Sequence, residues 1–121
     1  MTVEKYRTLA AARHYAPERD WVVEAPDGTF AAFANAWWDP VGRIGELEPV
    51  GTRADHRRLG LGHAVCLAAI ASLDALGAPE VLIFSDTANA ASEGLYASLG
   101  ARAVTHSRRW TRPLGDAAHG R

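Results

Sequence analysis

One cysteine in 121 residues leaves nothing for it to pair with, which excludes a disulfide framework and a cysteine-based zinc site. That residue, Cys66, lies inside an apolar stretch and reads as a small buried hydrophobe. The five histidines show no i, i+4 spacing on one helix, so no metal is expected. Charge of one sign is also missing: a formal net charge of -1 gives no global field to recruit nucleic acid or anionic lipid. Any anion binding has to be local. No apolar run approaches the roughly 20 residues that cross a bilayer, and Met1 to Asp20 lacks the apolar core of a signal peptide. The expectation is a soluble, cytoplasmic protein with no membrane or nucleic-acid partner. There are no internal repeats, and residues 1–121 are expected to make one domain, with its core in 21–112 and a frayed polar tail over 113–121.

What is present alternates turn residues with apolar runs. Tyr6, Leu9, Ala10 and Arg13 at helical spacing predict a short amphipathic helix over 3–13, ending before Pro17. From Trp21 to Trp38, two apolar runs flank Pro26-Asp27-Gly28, and Asp-Gly between such runs signals a hairpin. Asp39-Pro40-Val41-Gly42 is a second turn, so 43–52 should be a third antiparallel strand. In that strand Glu46 and Glu48 share one face while Leu47 takes the other. Pro49 removes a ladder donor and Gly51 a side chain, which argues for a bulge that frees backbone amides.

Residues 58–76 read as the main helix, with Gly77 and Pro79 as its stop. Val81 to Phe84 is a continuous apolar run, as expected for a strand buried on both faces, and strand, helix, strand implies a right-handed parallel crossover. A second helix is expected over 89–99 and a last strand over 103–111. The fold class is therefore α/β (α+β): a mixed, mostly antiparallel sheet whose central parallel strand pair is joined by a crossover helix.

Between the third strand and the main helix runs Glu46 to Gly62, ELEPVGTRADHRRLGLG. A strand that feeds a glycine-rich turn at a helix start makes an anion site, because glycine lets backbone approach a ligand and the unpaired N–H groups of the first turn point at it. A dinucleotide fingerprint is excluded, since Val65 stands where Gly-x-Gly-x-x-Gly needs its last glycine.

Arg57-x-x-Gly60-x-Gly62, opening a helix after a bulged strand, resembles a signature of the GNAT superfamily of acyl-CoA-dependent N-acetyltransferases. The stretch from Asn89 to Ala101, with Leu95-Tyr96 and Leu99-Gly100, resembles that family's other signature. Ala101 replaces the usual Phe, which touches packing rather than chemistry. The resemblance covers roughly 21–110. The family's opening strand is not found ahead of the first helix, and its final strand is short or missing after Trp110, so an exposed sheet edge favouring a homodimer is expected.

The resemblance implies acetyl transfer from acetyl-CoA to a primary amine of a small molecule or peptide by direct attack. Glu46 stands at the position of a carboxylate base, with Glu48 as a second candidate, and two acids on one face could raise one another's pKa. Either could instead be a solvated or substrate-orienting charge. Tyr96 matches the tyrosine that protonates the leaving sulfur, against a reading as a core aromatic. Arg57, Arg58, Leu59, Gly60, Leu61, Gly62 and His63 would hold the diphosphate, and Val50, Gly51 and Thr52 the pantetheine arm and the acetyl carbonyl. Asn89 is either a cofactor contact or a helix cap. Trp37 and Trp38 are candidates for the acceptor pocket, although alternation turns one of the two away. Arg102, Arg108, Arg109 and Arg112 read as a solvated edge. The competing reading is a non-catalytic acyl-CoA-binding or dimerisation module of the same fold.

Overall fold

The meander, crossover and two later helices are all present in a computed structural model that describes residues 1–115. Helix α1 spans Val3–Ala10, and Thr2 caps it by accepting from Lys5 N. After a short 3-10 turn come β1 (Asp20–Glu24), β2 (Phe30–Asp39) and β3 (Ile44–Thr52). The Asp-Gly hairpin forms as its residues require, with Gly28 at φ +85 and Ala25 N donating to Thr29 O. At the second turn the Asp39 carboxylate accepts from Val41 N and reverses the chain.

Helix α2 (Leu61–Ala75) crosses over to β4 (Val81–Ile83), which lies parallel to β3, and α3 (Ala90–Ser98) follows. The sheet order is β1-β2-β3-β4. The core forms between one sheet face and α2. Ala32, Ala34, Ala36 and Leu47 meet Val65, Cys66, Ala69 and Leu73. Alanine at alternate positions of β2 keeps that face low, so the helix lies close to the strands. The α2 residues buried in the core recur at one, four and eight positions, the stripe of a helix that packs on a sheet. Truncating Leu73, the largest fully buried side chain, should cost about 2–5 kcal/mol.

Four expectations need correction. Helix α2 starts at Leu61 rather than at 58, because Arg58 (φ +66) and Gly60 (φ +74) are left-handed and cannot belong to a right-handed helix. The strand expected over 103–111 does not form, and residues 101–115 are exposed throughout. With nothing among the described residues paired beyond it, β4 is an edge strand rather than one buried on both faces, its residues are only half-buried, and Phe84 falls outside it at 68% exposure. Helix α1 also stops at Ala10, short of Arg13. Of the expected tail, Pro113 to Gly115 is exposed, and 116–121 lies outside the described residues.

Candidate active site

The β3 strand changes character half-way along. Ala36 pairs with Leu47 but Ala34 pairs with Val50, so Glu48 and Pro49 together oppose the single residue Asn35. This is a bulge, two residues ahead of Gly51, which pairs regularly with Phe33. Pairing with β4 covers only Gly45 to Leu47, so β3 has no strand partner on that side from Glu48 onward. The backbone there is available to a ligand.

The same strand leads into an uncapped helix. Thr2 caps α1 and Asn89 caps α3 by accepting from Ser92 N at 3.1 Å, whereas no side chain among the described residues caps α2. The amides of Leu61, Gly62 and His63 in its first turn therefore lack the partner that capping would give. A Cβ on Gly60 would meet nothing within 4 Å, so the approach is open. A Cβ on Gly62 would lie 3.3 Å from Thr52 Oγ1 and 3.4 Å from Leu95 Cδ2, so that glycine lets α2, β3 and α3 converge. Arg57, Arg58 and Leu59 are exposed around the turn, and neither arginine makes an ion pair among the described residues. His63 reaches Ser98 Oγ at 3.0 Å through Nδ1. Since the Ser98 hydroxyl already donates to Leu95 O, His63 Nδ1 carries the proton in that bond.

On the sheet face away from α2, Trp37 stands directly across from Glu46. Trp37, Glu46, Glu48 and Pro49, with Lys5 and Leu9 from α1 and Met1 ahead of it, line a cavity of about 470 Å³. The Trp37 indole N–H donates to Glu48 O, tying the ring to the bulge. Trp38 points the other way and packs against the core. Burial, followed by hydrogen bonding to and repulsion from the Glu48 carboxyl, raises the Glu46 pKa above the usual carboxylate range. Tyr96 lies on the α2 side, packed on the core, and burial above all raises its pKa, with the Cys66 thiol beside it adding a smaller effect. Burial pushes Cys66 itself up to about 11, which keeps it an inert thiol at neutral pH.

The structure thus gathers Trp37, Glu46 and Glu48 in one cavity, and Val50, Gly51 and Thr52 beside the α2 turn. It spends the Asn89 carbonyl oxygen on capping and separates Tyr96 from the cavity by the sheet. Sequence reasoning missed Tyr6, Tyr15 and Asp20, which meet behind Trp37. It also missed Asn35, 2% exposed and opposite the bulge, whose amide atoms have no partner among the described residues. A polar residue amid the alanines of β2 was the available signal for Asn35. The tyrosines, nine residues apart, fit no spacing that would join them and gave none.

The model of the Acetyltransferase (GNAT) family matches residues 2–101. The chain belongs to the GNAT family. Its sequence is 44% identical over 59 residues to a mycothiol acetyltransferase of Thermobispora bispora, a match covering 49% of this chain and 20% of that protein. The ribosomal-protein-S18-alanine N-acetyltransferase of Escherichia coli superposes on this GNAT chain with a TM-score of 0.67 at 25% identity, over 82% of this chain and 60% of the other. An aminoglycoside 6'-N-acetyltransferase of Acinetobacter haemolyticus shares the fold, with a TM-score of 0.68 at 17% identity over 92% and 79% of the two chains. The chain thus spans about a fifth of the curated relative it matches, and 60% of the S18 enzyme. GNAT enzymes use acetyl-CoA. No helix among the described residues is long and apolar enough to cross a membrane.

Proposed function

We propose that the chain is an N-acetyltransferase that passes the acetyl group of acetyl-CoA directly to a primary amine. The observation that carries this reading is the sequence of features along β3: a bulge, an unpaired strand edge, then the uncapped start of α2. The diphosphate would lie on the amides of Leu61 to His63, assisted by Arg57 or Arg58. The pantetheine arm would follow the amides of Val50 to Thr52, and the thioester would sit in the slot beyond Leu47 where β4 no longer pairs. This slot lies between the Glu46–Glu48 face and the Tyr96 face, so an amine arriving from the cavity meets the thioester from one side and an acid from the other.

Glu46 would accept a proton from the incoming ammonium, for which its raised pKa suits it. The free amine attacks the carbonyl carbon, the nitrogen of the tetrahedral centre gives its surplus proton to water, and the carbon–sulfur bond breaks as the centre collapses. Tyr96 would give its proton to the departing sulfur, and its raised pKa keeps that proton in place until then. Trp37 would form the acceptor wall. A cytoplasmic homodimer joined through the open edge of β4 completes the reading.

Thiol release from acetyl-CoA with a panel of amines tests it. The reading expects release that depends on amine and falls in Glu46→Gln. Binding of acetyl-CoA without any amine-dependent release would favour the non-catalytic module.

A further inference from the structure

Helix α1 lines one side of the open cavity, yet buries none of its side chains completely. One polar cluster fixes it instead. Tyr6 from α1 and Tyr15 from the connection to β1 both donate to Asp20 Oδ2, at 2.6 and 2.5 Å, and their own oxygens stand 2.8 Å apart. Hydrogen bonds to an ionised carboxylate are stronger than neutral ones. The two tyrosine rings meet edge to face at 6.4 Å, and Tyr15 meets Trp37 edge to face at 6.2 Å, so the cluster continues into the cavity wall. Both phenols are held above their ordinary pKa, Tyr6 chiefly by its bond to Asp20 and Tyr15 chiefly by burial, and they remain donors at any working pH.

This helix brings Lys5, the only lysine of the chain, to the cavity. Glu46 and Glu48 line it from the strand side, and no ion pair joins Lys5 to either of them among the described residues. Opposite charges that share a cavity without pairing leave room for a ligand that carries both. We propose that the acceptor is a small amine bearing a carboxylate, its amine at the Glu46–Glu48 end and its carboxylate at Lys5, with Tyr6, Tyr15 and Asp20 as the positioning residues that hold Lys5 there. Leu9, Trp37 and Pro49 give the carbon skeleton an apolar wall between the two ends. A cavity of about 470 Å³ suits a small molecule. The proposal rests on the reading of this cavity as the acceptor site.

The test is equilibrium binding to the coenzyme A complex, which needs no turnover. The probes are glycine, β-alanine and longer ω-amino acids, each beside its own amide, which keeps the shape and removes the negative charge. At the fitting length the acid should bind about tenfold tighter than the amide. Lys5→Met should erase that preference, and Lys5→Arg should restore part of it. Tyr6→Phe should reduce the preference, and in the double variant no loss should follow beyond that of Lys5→Met alone. Acids that bind no better than amides, or a preference that survives Lys5→Met, would overturn the proposal. A preference that behaves as expected in a protein that acetylates no amine would leave the two-charge binding site standing and remove its reading as an acceptor site. Equal acetylation of acids and amides would do the reverse.

Discussion

Replacing Gly60 by Asp and by Asn separates charge from shape at the turn before α2. Gly60 has φ +74 and open space where a Cβ would point, so both side chains fit, and both suffer the left-handed strain of roughly 1 kcal/mol. Only Asp adds a negative charge at the uncapped start of α2. There it would favour the helix by about 0.3–1 kcal/mol. Toward a diphosphate held by the first-turn amides it is repulsive. At roughly 5 Å each charge pair costs about 0.8 kcal/mol even with the dielectric of water, so two phosphate charges give about 1.6 kcal/mol, or roughly fifteenfold in affinity. Titration calorimetry with coenzyme A should therefore show Gly60→Asp binding about fifteenfold weaker than Gly60→Asn, although its Tm is equal or higher. Salt should narrow that gap. Equal affinities at low salt would refute the placement of the diphosphate.

Other consequences follow from the same geometry. Tyr96→Phe keeps the core contact and removes the proton, so kcat should fall about tenfold to a hundredfold; unchanged rates at several pH values would take Tyr96 out of the mechanism. Glu48→Gln removes a hydrogen-bonding carboxyl and a like charge beside Glu46, both of which raise the Glu46 pKa. The acid limb of kcat/KM should move to lower pH, only part of the way because burial is the largest cause, and an unmoved limb would mean that Glu46 is not the base. The sign for stability runs oppositely: a raised folded pKa favours the fold at low pH and loses that contribution as pH rises through it. Hence Glu46→Gln should gain Tm relative to the parent as pH rises, readable by thermal melts. Asn35→Leu replaces a buried amide without partners by an apolar side chain of like size, so its Tm should hold or rise.

Turn chemistry made much of the fold legible. Asp27-Gly28 and Asp39-Pro40 fixed two reversals, and with them the pairing of β1, β2 and β3. Pro49 announced the bulge, and alternation correctly set Trp37 against Trp38. The start of α2 was less legible, because Arg58 has no local reason to be left-handed: the turn around it sets its φ, and propensity does not. The strand over 103–111 failed for a different reason. Loose alternation is compatible with a strand, but a strand needs a paired neighbour, and exposed residues such as Val104 and Trp110 find none here. The Tyr6–Tyr15–Asp20 cluster was invisible because it depends on where a weakly amphipathic helix comes to rest.

The central claim is that the turn before α2 grips the diphosphate while the bulged strand holds the thioester. Amide chemical shifts of the isotope-labelled chain, followed as coenzyme A is added, test it most directly. The account predicts that the largest changes fall on Gly60 to His63 and on Val50 to Thr52, with little at α1. Saturating coenzyme A that moves neither group of amides, or that moves a different surface, would contradict it.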